Sequence, residues 1–277
     1  MTSVPASVPE TAAPAAPGAA APLLAIRGLT IDIGGVRLLD VDALDVGRGE
    51  IVGLVGESGA GKSLLQSAVL GLLPATATIG GSLRFDGQEL AGAPDTAWKG
   101  IRGRRIAVVL QAARAALTPT LRAETWIDRA LALHGVPKAD RAARVGHALD
   151  AVRLDRALLR RYPHQLSGGE AQRVSVALAV ALRAELILAD EATSALDVTV
   201  QAEVAELLRR LRAEEGTAVL LVSHDLALVA GLADRISIID RGRIVERGGP
   251  EVLLSPASPV TQALVAANPS LPREADR

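Results

Sequence analysis

Two glycine-rich stretches carry the residues best suited to chemistry. GESGAGKS, from Gly56 to Ser63, fits the phosphate-loop pattern G-x-x-x-x-G-K-[ST] in full. Its glycines let backbone N–H groups approach phosphate oxygens, Lys62 can reach the β- and γ-phosphates of a nucleotide, and the Ser63 hydroxyl can ligate Mg²⁺. Gly56, Glu57, Ser58, Gly59, Ala60, Gly61, Lys62 and Ser63 are therefore the expected cradle. The second stretch is LSGGEAQR, residues 166 to 173. A glycine pair opening a helix suits an anion, because the first-turn N–H groups have no partner in the helix and its dipole is positive there. With one cradle already present, Ser167, Gly168 and Gly169 must serve another nucleotide, another partner, or nothing.

A third element is LILADE, in which four apolar residues run into Asp190 and Glu191. The carboxyl end of a strand is the usual place for ligands in an open α/β sheet. Beside a phosphate loop, Asp190 is expected in the Mg²⁺ shell. Glu191 is expected to orient and polarise the water attacking the γ-phosphate, since phosphoryl transfer depends mainly on positioning and electrostatics.

The surrounding sequence supplies elements to hold these groups. LLAIRGLTIDI, VRLLDVDALDV and EIVGLVG are short, β-branched runs leading into the phosphate loop, with a helix expected from Gly61. TIGGSLRFDG, residues 78 to 87, reads as a further strand pair, and RIAVVLQ, residues 105 to 111, as a buried strand. From about Ala112 to Gln165 the chain is rich in alanine and arginine with helical spacing, an expected helical insertion. Strands resume at ELILAD and TAVLLVS, which implies a mainly parallel sheet, and RISIIDRGRIVERG closes it as a hairpin.

Composition narrows the class. Lysine and arginine total 30 against 31 acids, so no basic field of the kind used for nonspecific nucleic-acid binding exists, and no nucleic-acid partner is expected. The chain has no cysteine, which excludes disulfides, zinc-thiolate sites and a cysteine nucleophile. The uncharged run from Ser63 to Leu83 is broken by Gly71, Pro74, Gly80 and Gly81, and reads as a buried helix plus turn rather than a membrane span. His134, His147 and His164, with Trp98 and Trp126, read as structural, and Arg102 to Arg105 as a solvated turn.

LSGGEAQR, followed by LADEATSALD and SHD, resembles the ATP-binding-cassette (ABC) ATPases over roughly Leu23 to Asn268. The resemblance implies an α/β phosphate-loop core with an antiparallel β subdomain and a helical subdomain at about 112–183. It implies an ATPase domain over 23–248 and an importer-branch tail at 249–277, while the Ala/Pro-rich composition of 1–22 leads to the expectation of a disordered leader. It implies ATP and Mg²⁺ as ligands. It further implies that Ser167, Gly168 and Gly169 bind the γ-phosphate of a second subunit's ATP, so that two chains sandwich two nucleotides head to tail. Gln111 matches the family's glutamine loop, touching Mg²⁺ or water and facing a membrane partner. Asp197 matches the loop crossing the dimer interface, and His224 the histidine that bonds the γ-phosphate and helps hold Glu191.

The chain departs from the pattern in three places, one of them the segment after Gln111, AARAALTP, which lacks the usual Asp-Pro pair. The aromatic ring that stacks on adenine in most of the family aligns with Ile33, and Ala192 stands where the family has proline. YPHQLSGG, SALDVTVQAEV and SPASPVTQALVAANP resemble the oligopeptide, dipeptide and nickel importer branch. That branch implies an ATPase on the cytoplasmic face of the membrane, partnered by transmembrane permease subunits, a second ATPase subunit and, indirectly, a substrate-binding protein. The rival expectation is a soluble ABC ATPase accessory to a phosphonate-degrading complex.

Overall fold

The structure is a computed structural model that describes residues 21–110, 112–190 and 198–268. The chain opens with β1 (Leu24–Ile33) and β2 (Val36–Val46), then β3 (Ile51–Val55), α1 (Lys62–Val69), β4 (Ala77–Phe85) and β5 (Gln88–Glu89). After α2 (Asp95–Trp98) and β6 (Ile106–Leu110) comes a helical stretch: α3 (Ala113–Ala116), α4 (Ala123–Leu133), α5 (Lys138–Val152) and α6 (Gly168–Leu182). It continues with β7 (Leu186–Asp190), α7 (Val198–Glu215), β8 (Ala218–Ser223), α8 (Leu226–Leu232), β9 (Arg235–Asp240), β10 (Arg243–Gly248) and α9 (Pro259–Ala266).

Two sheets form. The central one has the order β10-β9-β3-β8-β7-β6, with β6, β7, β8, β3 and β9 parallel and β10 antiparallel at one edge. Every residue of β3 and β8 is buried, which is why both read as unbroken apolar runs: helices or the second sheet cover each face. β6 departs from the expectation of a buried strand. It is the other edge of the sheet among the described residues, and its burial alternates: Ala107 and Val109 are buried against the helices, while Val108 and Leu110 on the opposite face remain 37% and 43% exposed.

The antiparallel sheet has the order β2-β1-β4-β5. The expected strand pair at 78–87 is instead one strand, β4, whose partner arm is the two-residue β5 after the Asp86–Gly87 turn. Gly80 and Gly81 form no turn but an irregularity in the β1–β4 pairing. There the backbones come so close that a Cβ on Gly81 would lie 2.0 Å from the Gly28 carbonyl oxygen. The uncharged run from Ser63 thus contains α1, a turn and most of β4.

Leu24, Ile26, Leu29, Ile31, Leu39, Val41 and Phe85 of the antiparallel sheet pack with Leu54, Leu188 and Leu220 of the central sheet in one apolar core. Its margin is closed by charge. Arg48 pairs with Asp86 (2.5 Å) and Glu185 (2.8 Å), while Arg105 pairs with both acids and lays its guanidinium 4.9 Å from the Phe85 ring centre. Arg102 pairs with Asp95 and covers Trp98. The arginines at 102 and 105 are therefore fasteners rather than members of a solvated turn. His147 likewise has a partner, Glu215 of α7 at 2.8 Å.

A second core lies under the helices, where Ala148, Leu149 and Val152 of α5 meet Val174, Ala177 and Ala181 of α6. The tail docks on β10. Glu246 accepts the N–H groups of Ala257 (2.8 Å) and Ser258 (3.1 Å), and Ser258 caps α9 ahead of Pro259. Burial opposes the charge on Glu246, but the Thr261 hydroxyl beside it and those two N–H groups outweigh it and hold the carboxyl below its usual range.

Candidate functional site

β3 ends at Val55 and α1 begins at Lys62, so the six residues between them form the loop at the carboxyl end of the central strand. Gly56 sits where a side chain is impossible: a Cβ would lie 2.2 Å from the Ile239 carbonyl oxygen of the neighbouring strand. Gly61, the N-cap of α1, has φ +108°, a conformation that other residues rarely adopt. The Ala60 carbonyl accepts the Gly242 N–H at 2.8 Å, and the Gly242 carbonyl accepts the Asp40 N–H at 2.8 Å. The loop is thereby tied to the β9–β10 turn and to β2.

Lys62 is buried, and its ammonium donates to the carbonyls of Gly56 (2.7 Å) and Glu57 (2.8 Å). These bonds curl the loop around the ammonium and keep a positive charge at its centre. No side chain caps α1, so its first N–H groups point into the concavity. A cavity of about 570 Å³ opens there, lined by Ser58, Gly59, Gly61, Lys62, Ser63 and Asp190, with Leu38 and Leu64. The size suits a small-molecule ligand.

Asp190 is the last residue of β7 and pairs in register with Val222 of β8 and Leu110 of β6. Sheet register therefore brings a half-buried carboxylate to the same cavity as Ser63, from 127 positions away in the sequence (190 − 63). His224 follows β8 directly and is exposed at the same end of the sheet. Its neighbours fix the turn: Asp225 N–H donates to the Ser223 hydroxyl at 3.0 Å, and the Asp225 carboxylate caps α8. Gln111, Glu191, Ala192 and Asp197 lie outside the described residues.

Ser167, Gly168 and Gly169 are not among the residues lining this cavity. They open α6 with a complete capping box: the Ser167 hydroxyl accepts the Glu170 N–H (3.1 Å), and Glu170 accepts the Ser167 N–H (2.7 Å). Ser167 and Gly168 face outward. The chain thus carries two anion-ready helix starts at separate places. Leu38 is a lining residue that sequence reasoning missed. Its signal is faint: VRLLDV reads only as a strand, in which Leu39 is buried while Leu38 is 43% exposed and lines the cavity.

Over residues 39–194, which contain both glycine-rich stretches, the sequence matches the family described as ABC transporter. The chain belongs to that family. Among relatives, the peptidoglycan transport ATP-binding protein YejF of Agrobacterium fabrum is 40% identical over 258 residues, covering 90% of this chain and 47% of its own. The chain therefore spans about half the length of that relative. The oligopeptide transport ATP-binding protein OppD of Salmonella typhimurium is 39% identical over 230 residues, covering 82% of this chain and 69% of its own. Among solved structures, the ATP-binding cassette MJ0796, a dimer in a post-hydrolysis state bound to ADP and Pi, matches with a TM-score of 0.70 at 27% identity. That match covers 82% of this chain and 98% of the other. The expected ABC-type core, with its antiparallel and helical subdomains, is the fold observed.

Proposed function

We propose that this chain is the ATP-binding and ATP-hydrolysing subunit of an ABC importer of peptides, working at the cytoplasmic face of a membrane. The observation that carries the reading is the pair of separate anion-ready sites: a cradle with Lys62, Ser63 and Asp190, and an outward-facing Ser167–Gly169 that lies outside it. A second subunit, identical or related, is the partner that unites them. Relatives named for oligopeptide and peptidoglycan transport support peptides as cargo. Among the described residues no helix is long and apolar enough to cross a membrane, so separate permease subunits would form the path, fed by a substrate-binding protein.

The loop and the α1 N-terminus hold the α-, β- and γ-phosphates by backbone N–H groups, with Lys62 at the β/γ bridge. Glu191 positions the attacking water and takes its proton, Gln111 and His224 confine that water against the γ-phosphate, and Asp197 meets the facing subunit. The oxygen donors Ser63 and Asp190, with Gln111, suit Mg²⁺, which takes few protein ligands beside substrate phosphates and lowers the charge on the reacting group. The partner's Ser167–Gly169 segment closes the γ-phosphate off from bulk water, and product release reopens the pair.

The test is purification from membranes in mild detergent, with ATPase activity measured on the purified material. A co-purifying multispanning protein and peptide-stimulated ATP hydrolysis are expected. ATPase activity with a consistently absent membrane partner would refute the transport role and favour the soluble accessory.

A further inference from the structure

Arg114 is the second residue of α3, three positions after Gln111, and its guanidinium donates to the Leu166 carbonyl at 2.5 Å. That carbonyl belongs to the peptide group joining Leu166 to Ser167. The N–H of the same peptide group is held from the other side by Glu170, at 2.7 Å. Both polar ends of one planar unit are therefore fixed, and with them the direction in which Ser167, Gly168 and Gly169 present their donors. The anchors on either side are firm, since Ala113, Leu117 and Leu166 are all at most 3% exposed. Among the described residues no carboxylate pairs with Arg114, so its charge is committed to this carbonyl.

We propose that Arg114 is a positioning residue for the cross-subunit site: it locks the Leu166–Ser167 peptide plane, so that the segment following Gln111 sets the aim of the helix start that receives the partner's phosphate. The inference rests on the proposed function. A neutral side chain of similar length would keep the packing and release the carbonyl. A small misplacement of such a contact is enough to cost about 100-fold in rate.

The experiment uses the full chain as wild type, Arg114→Met and Arg114→Lys. ATP affinity is measured on dilute monomer, ATP-driven dimerisation by sedimentation in a Glu191→Gln background, and kcat and KM at fixed protein concentration. Arg114→Met is expected to leave monomer ATP affinity within error and to lower Tm by only a few degrees, since the Leu166 carbonyl loses its donor. It should also raise the protein concentration needed for dimerisation about tenfold and lower kcat about 10- to 100-fold with KM unchanged. Lysine, which retains a charged donor, should recover part of both losses. Dimerisation and kcat of Arg114→Met within twofold of wild type would overturn the inference. So would a parallel loss of monomer ATP binding, which marks a general structural role. A wild-type chain that binds ATP but never dimerises would overturn the proposed function, and this inference with it.

Discussion

Ser167 has two roles in this account, and one substitution separates them. Its hydroxyl caps α6 by accepting the Glu170 N–H, and the same outward-facing group is proposed to meet the partner's γ-phosphate. Alanine would remove both roles and so decide nothing. Aspartate is as good an N-cap as serine, so Ser167→Asp should change stability by no more than about 0.5 kcal/mol. It also places a carboxylate where the triphosphate must arrive. Two unit charges about 4 Å apart at an effective dielectric near 20 repel by about 4 kcal/mol, or roughly 1000-fold in closure. Thermal unfolding, ATP binding by dilute monomer, and steady-state turnover give the three readings. An unchanged Tm, unchanged monomer affinity and turnover lowered at least about 100-fold are expected. Turnover within threefold of wild type would refute the reasoning, because the γ-phosphate would then lie away from residue 167.

Three further perturbations follow from particular contacts. Gly56→Ala forces a methyl to within 2.2 Å of the Ile239 carbonyl, so it should cost about 1–3 kcal/mol in stability and weaken ATP binding; a normal Tm in calorimetry would show the loop to be looser than described. Ile33→Tyr adds an aromatic ring at the end of β1, and a base stacked on it should tighten ATP binding about 5- to 150-fold; unchanged dissociation constants for ATP and GTP would count against an aliphatic base site. Because the folded pKa of Glu246 is depressed, its contribution is present above the unfolded value of about 4.3 and is lost as pH falls through the folded value. Glu246→Gln should therefore destabilise at pH 7 by denaturant titration and become indistinguishable from wild type in strong acid; a pH-independent difference would contradict the staple.

The phosphate loop was legible because its chemistry is local: eight consecutive residues, Gly56 to Ser63, make most of the cradle. Asp190 was legible through the apolar run before it, which announced a buried strand whose carboxyl end lines the cavity. The β9–β10 hairpin was likewise visible, as two apolar runs on either side of the Asp240–Gly242 turn. What escaped depends on partners distant in sequence. The edge position of β6 follows from strand order, which no single strand encodes. Gly80 and Gly81 resemble a turn until β1 is laid beside them, when Gly28 claims the space. The arginines at 102 and 105 read as solvated because Asp95, Trp98, Asp86 and Glu185 had not yet been brought to them. Arg114 carried no signal in the sequence, since a bond to a backbone carbonyl leaves no mark on residue type.

The central claim is that one chain cannot complete the reaction, because the cradle and the Ser167–Gly169 donors lie apart and must come from different subunits. ATPase rate per chain, measured against chain concentration from well below to well above the dimerisation constant, addresses it directly. The account predicts a specific rate that rises with concentration and vanishes for monomer. A constant specific rate in a preparation shown to be monomeric would contradict it.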